Sequence, residues 1–239
     1  MKRVIIGITG ASGAIYGVRL LQLLAGRDDV ETHLVVSTAG RLTLSQECDL
    51  SPKDLAAFAG VTHHQSDIAA SISSGSFRVH GMIVAPCSVK TMSNIATGNT
   101  GDLISRAADV VLKERRRLVL ALRETPLHAG HLGNMLKLAE LGAVIFPPVP
   151  AFYHRPATVQ EIVDQTCMRL LDQIDLTIDS APRWGDGVAI KGRPGTKESR
   201  GEGAAPQDCE APDTATQGNR QTGRDRRKSN PRDPHLPRN

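Results

Sequence analysis

The sequence predicts an α/β protein in which a parallel sheet is covered by helices on both faces. Short apolar segments rich in β-branched residues alternate five times with longer segments whose apolar residues recur at helical spacing. A glycine-rich turn joins the first of these strands to its helix, and polar residues follow the later strands. Alternation of this kind favours right-handed βαβ units. The predicted architecture is therefore a doubly wound parallel sheet of the flavodoxin-like or Rossmann-like type.

The predicted strands and helices follow one another in a regular order. Five strands are expected at residues 3–8, 31–37, 81–85, 118–122 and 143–146. Helices are expected at residues 14–24, 38–46, 53–58, 89–96, 103–114, 132–141 and 159–176. Residues 60–80 are polar and contain a serine cluster and two adjacent histidines, so we expect a loop-rich excursion there.

Composition divides the 239-residue chain into a single folded domain, residues 1–185, and a polar tail, residues 186–239. The chain is 40% hydrophobic, but almost no large apolar residue follows residue 185. Such a segment cannot bury enough apolar surface to offset its ordering entropy, so we expect the tail to be disordered. Most of the net charge of +4 falls in the tail. The domain is therefore near neutral, and no nucleic-acid partner is expected.

The cysteines and the hydropathy pattern bear on cellular location. Four cysteines are scattered without the spacing of a metal site or a redox motif: Cys48, Cys87, Cys167 and Cys209. The N-terminal apolar run is too short for a signal peptide, and no later run is long enough to span a membrane. We therefore expect a cytoplasmic protein without a membrane segment.

The glycine-rich turn contains Gly7, Gly10 and Gly13 at regular intervals. This spacing differs from the GxGxxG fingerprint of dinucleotide-binding proteins, and no acidic residue ends the second strand to bind a ribose. Loop amides, the N-terminus of the following helix and the Ser12 hydroxyl could still bind one phosphate. The pattern favours a mononucleotide over NAD, and a purely geometric turn is the alternative.

Polar residues follow three further strands at the carboxyl edge of the sheet, where open α/β sheets bind ligands. Ser37 ends the second strand, residues 86–91 follow the third, and Arg123 and Glu124 follow the fourth. Their hydroxyls, amides and guanidinium suit the ribityl chain and phosphate of a flavin. Cys87 lies among them, but no partner base accompanies it, so we interpret it as a buried structural thiol.

Four segments of the chain carry a family resemblance. They read GITGASGAIYGVRLL, PCSVKTMSNIATG, LISRAADVVLKERRRLVLALRETPLHAGHLGNMLKLAELGA and PPVPAFYHRPATVQEIVD. In this order they resemble the UbiX-type flavin prenyltransferases, a group of phenylacrylic acid decarboxylase-like flavoproteins, over residues 3–185. The resemblance implies a homododecamer that joins the dimethylallyl group of dimethylallyl phosphate to N5 and C6 of reduced FMN. The prenylated FMN would serve a UbiD-type decarboxylase in ubiquinone synthesis or aromatic acid breakdown.

The resemblance also implies roles for individual residues. Those expected to bind FMN are Gly10, Ala11, Ser12, Ser37, Ser88, Val89, Lys90, Thr91 and Arg123. Those expected to bind dimethylallyl phosphate are Lys113, Arg123, Tyr153 and Arg169, and those expected to move protons are Ser12, Glu47 and Glu124. The chemistry agrees, because cations and a phenol stabilise the charge that grows on a leaving phosphate. The sequence has no paired-aspartate motif of diphosphate-using prenyltransferases, so we expect a monophosphate substrate and no metal.

Two alternative functions stay open. An FMN-dependent cysteine decarboxylase shares the predicted fold, but it would need a catalytic histidine early in the chain and an asparagine in its substrate clamp. The corresponding segments here read RETP and AFYHRP. A non-catalytic FMN-binding subunit of an aromatic acid decarboxylase is the third hypothesis. Flavin storage does not require residues that bind dimethylallyl phosphate, so their presence favours the enzyme.

The chain departs from the family pattern at one point. Where the family usually has HLENM, this chain has HLGNM at residues 131–135. Gly133 would weaken the helix by up to about 1 kcal/mol, but it removes none of the residues assigned above. Four histidines are interpreted as structural or surface residues: His63, His64, His128 and His131.

Overall fold

The structure is a computed structural model that describes residues 1–178. The predicted domain boundary at residue 185 and the predicted disordered tail lie outside these residues, so both stay predictions. No helix of the described part is long and apolar enough to span a membrane.

Six parallel strands form one sheet with helices on both faces. The strands are β1 Lys2–Ile8, β2 Val30–Val36, β3 Val61–His63, β4 Gly81–Cys87, β5 Arg117–Leu122 and β6 Val144–Ile145. The helices are α1 Ala14–Leu24, α2 Thr38–Cys48, α3 Pro52–Leu55, α4 Val89–Thr97, α5 Leu103–Lys113, α6 Ala129–Glu140 and α7 Val159–Asp172. The strand order is β3-β2-β1-β4-β5-β6, and every neighbouring pair is parallel. The predicted doubly wound, flavodoxin-like α/β fold is confirmed.

Two apolar clusters, one on each face of the sheet, hold the helices in place. One cluster includes Leu20 of α1 and Leu170 of α7, and the other includes Met92 of α4. Side chains of the central strand β1 alternate between them: Ile6 packs in the first cluster and Ile5 in the second. Because β1 is buried on both faces, its carboxyl end is a fixed support for the loop that follows it.

The structure corrects the strand predictions in two places. β3 lies inside the polar excursion at residues 60–80 and pairs with β2 at the edge of the sheet. Its three residues are not fully buried, so no apolar run marks it in the sequence. β4 continues past the predicted end at residue 85 through Pro86 to Cys87, and the register between β4 and β5 shifts there. Proline is tolerated in a strand at such an irregularity.

Three helix boundaries differ from the predictions by three residues or more. α3 ends at Leu55 rather than residue 58, because the chain continues in single turns, such as Phe58 N to Leu55 O at 3.0 Å. α6 begins three residues earlier than predicted, because the His128 ring caps it. α7 ends at Asp172 rather than residue 176, although the apolar pattern continues, and Asp175 has a φ of 53° that a right-handed helix does not allow.

Candidate functional site

A cleft of about 670 Å³ opens at the carboxyl edge of the sheet. It lies where the strand order reverses between β1 and β4, the position at which doubly wound sheets bind ligands. Its walls come from the loop after β1, the starts of α2 and α4, and the segments after β5 and β6. The predicted site residues that line it are Gly10, Ala11, Ser12, Ser88, Val89, Lys90, Arg123 and Glu124.

A more polar cleft of about 370 Å³ adjoins the first. The two clefts share the lining residues Gly10, Ala39, Ser88 and Lys90. Ser37 and Thr91 line only the smaller cleft. Each residue predicted to bind FMN therefore lines at least one of the two clefts.

Helices α2 and α4 begin at these clefts, and a serine caps each of them. Ser37 Oγ accepts a hydrogen bond from Gly40 N at 2.9 Å, and Ser88 Oγ accepts one from Thr91 N at 3.3 Å. Other amides of a first helical turn have no acceptor within the helix, and the helix dipole adds partial positive charge there. These two helix starts are therefore suited to bind an anionic group such as phosphate.

The N-terminus of α1 differs, because the Glu47 carboxylate already occupies it. Glu47 Oε2 accepts hydrogen bonds from Gly13 N at 2.8 Å and Ala14 N at 2.9 Å. Burial raises the pKa of Glu47, but hydrogen bonds from Ser12 and the two amides, with the charge of Arg123, outweigh burial and leave that pKa below its ordinary value. Glu47 is therefore ionised at neutral pH. This corrects the expectation that the glycine-rich turn binds phosphate through the start of α1.

The loop after β1 is packed tightly against its neighbours. A Cβ atom at Gly10 would collide with the Ala39 side chain in α2. Thr9 Oγ1 donates a hydrogen bond to Pro86 O at 2.7 Å and accepts one from Ser88 N at 2.8 Å. The loops after β1 and β4 are thus joined through one buried hydroxyl.

Arg123 and Glu124 follow the end of β5 and form part of the wall of the larger cleft. Arg123 Nε donates a hydrogen bond to Ser12 O at 3.1 Å, which holds the guanidinium beside the first loop. Glu124 is exposed, and its Oε1 accepts a hydrogen bond from Thr125 N at 3.0 Å. The structure therefore brings Ser12, Glu47, Arg123 and Glu124 to the same edge of the sheet.

Lys113 and Arg169 do not lie at the cleft of the same subunit. Lys113 ends α5 just before the start of β5, whereas Arg123 follows the end of β5, so the two cations lie at opposite ends of one strand. Arg169 lies in the last turn of α7. The chain just after that turn contacts the amino end of β5, where Asp175 Oδ2 lies 3.2 Å from Arg117 Nη2.

Tyr153, the remaining residue predicted to bind dimethylallyl phosphate, is only partly exposed and follows the wall formed by residues 147–150. Its hydroxyl accepts a hydrogen bond from Gln165 Nε2 in α7 at 3.2 Å. Gln165 is itself buried. The phenol is therefore held against α7, and Tyr153 is not among the residues that line the two clefts.

The cysteines of the described residues, Cys48, Cys87 and Cys167, are free. Cys87 is fully buried, and burial raises the pKa of its thiol to about 12. It is therefore uncharged at neutral pH, which supports its interpretation as a structural residue. Within residues 1–178, no group of three or more His, Cys, Asp or Glu side chains is arranged to hold a metal ion.

The histidines make local contacts outside the clefts. His63 Nε2 lies 2.9 Å from His33 Nδ1, and their rings stack. His128 Nδ1 caps α6, and the rings of His128 and His131 stack with their centroids 3.6 Å apart. These contacts support the interpretation of the histidines as structural residues.

Several cleft residues were not predicted from the sequence. The segment 147–150 forms an apolar wall of the larger cleft. It follows β6 at the same edge as the other strand ends, so the rule applied to the earlier strands could have found it. Gln65 carries no such signal, because it reaches the smaller cleft from the polar excursion, where its Oε1 accepts a hydrogen bond from Thr38 N at 2.8 Å.

The fold and the site define a doubly wound α/β protein with a cleft for a phosphate-bearing ligand at its switch point. The Flavoprotein family profile matches residues 1–171. Flavin prenyltransferase UbiX of Escherichia coli (strain K12) is 60% identical over 186 residues, which cover 77% of this chain and 98% of that protein. The chain therefore belongs to the UbiX-type flavin prenyltransferase family of flavoproteins.

Two solved structures are similar in both fold and sequence. AnUbiX (PadA1), in complex with FMN and dimethylallyl pyrophosphate, has a TM-score of 0.72 and 51% identity, with 74% of this chain and 93% of that chain covered. A dodecameric FMN-dependent UbiX-like decarboxylase from Escherichia coli O157:H7 has a TM-score of 0.75 and 51% identity, with 76% and 98% covered.

Proposed function

We propose that the protein is a flavin prenyltransferase that joins the dimethylallyl group of dimethylallyl phosphate to N5 and C6 of reduced FMN. The observation that carries this proposal is the cleft at the switch point, where Ser12, Arg123 and Glu124 meet beside two helix N-termini. The 60% identity with the E. coli enzyme extends over nearly all of that enzyme. The product, prenylated FMN, would be delivered to a UbiD-type decarboxylase.

The residues present fit FMN. The N-termini of α2 and α4, with Ser37 and Ser88 as caps, offer donors for its phosphate. The segment 147–150, together with Val89 and Leu122, offers an apolar surface for its ring system. When bound and reduced, FMN supplies the nucleophilic N5 and C6 atoms. The protein supplies binding, orientation and proton exchange.

We propose that neighbouring subunits complete the site for dimethylallyl phosphate. Lys113 and Arg169 lie away from Arg123 in one subunit, and the E. coli O157:H7 relative is dodecameric. A homododecamer of this chain would bring these two cations of one copy to the cleft of another. Together with Arg123 and the Tyr153 phenol, they would stabilise the negative charge on the phosphate as its bond to the dimethylallyl carbon breaks.

Ser12, Glu47 and Glu124 are proposed to handle the protons. Prenyl transfer with ring closure adds one proton to the dimethylallyl group and removes one from each flavin atom that bonds to carbon. Glu124 is exposed on the cleft wall, which supports a role in proton exchange. Glu47 is ionised and accepts a hydrogen bond from Ser12, which supports a role in orienting that hydroxyl.

A cysteine decarboxylase is the weaker alternative. Such an enzyme would need an early histidine in its site, but the first histidine of the chain, His33, is buried against His63 and does not line either cleft. A non-catalytic FMN-binding subunit is also disfavoured, because flavin storage does not require the residues expected to bind dimethylallyl phosphate or to move protons: Glu47, Lys113, Glu124, Tyr153 and Arg169. A cytoplasmic location, consistent with three free cysteines among the described residues, is part of the proposal.

The test is anaerobic incubation of the purified protein with reduced FMN and dimethylallyl phosphate, with dimethylallyl diphosphate as a second arm. The flavin is then analysed by mass spectrometry. We expect prenylated FMN in the first arm. If neither arm yields it, the proposed function is wrong. If only the diphosphate arm does, the transferase activity stands and the expected monophosphate substrate is wrong.

A further inference from the structure

The segment 123–127 carries Arg123 and Glu124 but is exposed along its whole length. Its first residue is anchored to the sheet, because Arg123 N donates a hydrogen bond to Cys87 O at 3.0 Å. Its other end leads directly into His128, the N-cap of α6. The position of Glu124 in the cleft wall therefore depends on two anchors, the end of β5 and the start of α6.

The cap itself is unusual, since Ser, Thr, Asp and Asn are the residues preferred at this position. His128 Nδ1 accepts hydrogen bonds from Gly130 N at 3.1 Å and from His131 N at 3.4 Å. An imidazole nitrogen accepts a hydrogen bond only when it carries no proton. Stacking against His131 holds the ring in this orientation.

Apart from its packing against α4, which includes a hydrogen bond from Asn134 Nδ2 to Ser93 Oγ at 3.0 Å, the start of α6 has little else to stabilise it. Gly130 and Gly133 both fall in its first two turns, and glycine is the poorest helix former after proline. The first turn contains no acidic residue that could interact with the helix dipole. The His128 cap is therefore the principal local interaction that holds this helix end.

The two glycines differ in their surroundings. A Cβ atom at Gly130 would lie 3.0 Å from His128 Cε1 and 3.2 Å from His128 Nδ1. Glycine at this position therefore allows the ring to lie over the helix end. A Cβ atom at Gly133 would have no such neighbour within 4 Å.

We propose that His128 is a positioning residue, which fixes Glu124 at the flavin cleft by capping α6. The inference rests on the proposed function, because it assigns proton exchange to Glu124. Without the cap, the first turn of α6 frays and the segment 123–127 loses its second anchor. The starts of α2 and α4 do not depend on this anchor, and Arg123 keeps its own hydrogen bonds to Cys87 O and Ser12 O, so FMN binding is retained. Loss of the cap therefore lowers kcat.

Two substitutions at His128 compare a helix that keeps an N-cap side chain with one that loses it. Asparagine is a good N-cap, whereas alanine is not. We expect His128→Ala to lower kcat about tenfold through misplacement of Glu124, with the KM for dimethylallyl phosphate and the affinity for FMN nearly unchanged. His128→Asn should restore most of the rate. Equal losses in the two variants, or a loss confined to FMN affinity, would overturn the proposal.

Two glycine variants provide a matched pair. Gly130→Ala adds a methyl group that crowds the His128 ring, and Gly133→Ala adds the same group in open space. We expect a lower kcat for Gly130→Ala and an unchanged kcat for Gly133→Ala. If the two alanine variants turn over at the same rate, the position of the His128 ring does not matter and the proposal is wrong.

Amide hydrogen exchange gives a readout that does not depend on turnover. We expect faster exchange in the first turn of α6 for His128→Ala than for the wild type or His128→Asn. If amide exchange in the first turn of α6 is the same in His128→Ala as in the wild type, His128 does not stabilise this turn and the proposal is wrong. If the wild type forms prenylated FMN and His128→Ala matches its rate, only the positioning role fails. If the wild type forms none, the proposed function fails and the positioning role with it.

Discussion

Glu47 and Glu124 are two carboxylates at the same edge of the sheet, but their surroundings suit them to different roles. Glu47 is held by the amides at the start of α1, and its lowered pKa keeps it ionised. Glu124 is exposed and bonds only to the adjacent amide of Thr125 among the contacts within residues 1–178. Paired carboxylates in unlike environments are a common basis for dividing proton-transfer roles.

Replacing Glu124 by glutamine tests its role in proton exchange. We expect Glu124→Gln to lower the rate of prenyl transfer by about 10²-fold or more, the usual contribution of a general acid or base. FMN affinity should be unchanged, because the helix starts proposed to bind its phosphate are untouched. Prenylated FMN is quantified in single-turnover reactions, and FMN binding is measured by fluorescence titration. Glu140→Gln, at an exposed position in the last turn of α6, is the matched control. A Glu124→Gln protein with the control's rate would contradict the assigned role.

The predicted FMN-binding residues were accessible from the sequence because most of them directly follow buried strands, and parallel topology brings all strand ends to one edge. The carboxylate cap was not accessible in this way. Glu47 ends up beside Gly13 and Ala14 only because α2 packs back along α1, and no local pattern encodes that contact. Gln65 was not predicted for the same reason, because its contact with Thr38 joins segments that are distant in the sequence.

At the scale of single elements, the edge strand β3 is held partly by a pair of stacked histidines. His33 in β2 and His63 in β3 share a hydrogen bond. Burial lowers the pKa of each, and the charge of His63 lowers that of His33 further, whereas Glu31 opposes the shift. Asp67 also opposes the shift at His63. The folded protein therefore favours the neutral pair.

These lowered pKa values predict that the β3 edge of the sheet becomes less stable at acidic pH. Below the unfolded histidine value of about 6.5, the unfolded chain binds protons that the folded pair does not, so stability is lost as the pH falls from there. We expect His63→Gln, which cannot titrate, to lose about 2–4 °C less in Tm than the wild type between pH 7.5 and 5.5. His64→Gln, at the adjacent residue, should behave as the wild type. The same acid shift in all three proteins would show that the pair does not matter.

Long elements with a strong apolar pattern, such as α1, α5 and β5, were predicted to within a residue or two. The two-residue strand β6 was predicted to within one residue at each end, but other short or irregular elements were not. β3 is defined by pairing with β2 rather than by its own composition. The early start of α6 depends on a ring nitrogen, and the early end of α7 depends on the backbone at Asp175, neither of which the apolar pattern reports.

At the scale of the whole molecule, one subunit does not unite the four residues predicted to bind dimethylallyl phosphate. Arg123 lies at the carboxyl edge of the sheet, whereas Lys113 lies at the other end of β5. Sequence similarity to a family implies which residues share a site, but it does not say which copy of the chain supplies them. The fold of one chain raises that question, because it separates Lys113 from Arg123.

Mixing inactive variants tests whether subunits share the site. Lys113→Ala and Arg123→Ala should each be nearly inactive alone. Mixed oligomers should regain activity, because some clefts then receive Lys113 from one copy and Arg123 from another. Prenylated FMN is measured after dissociation and reassembly of the mixture. A mixture of Arg123→Ala and Glu124→Gln, both altered in the same segment, is the control and should stay inactive. If the first mixture also stays inactive, Lys113 is not supplied by a second subunit.

The carboxylate at the start of α1 has a consequence for ligand selectivity. Dinucleotide-binding proteins of doubly wound fold place a pyrophosphate at this same helix end. Here Glu47 satisfies the amides of Gly13 and Ala14, and its negative charge repels a second anion. The chain thus keeps the architecture of a dinucleotide site but closes the position that a nicotinamide dinucleotide needs. We therefore expect the chain to discriminate against such cofactors through the charge of this internal anion rather than through a steric barrier.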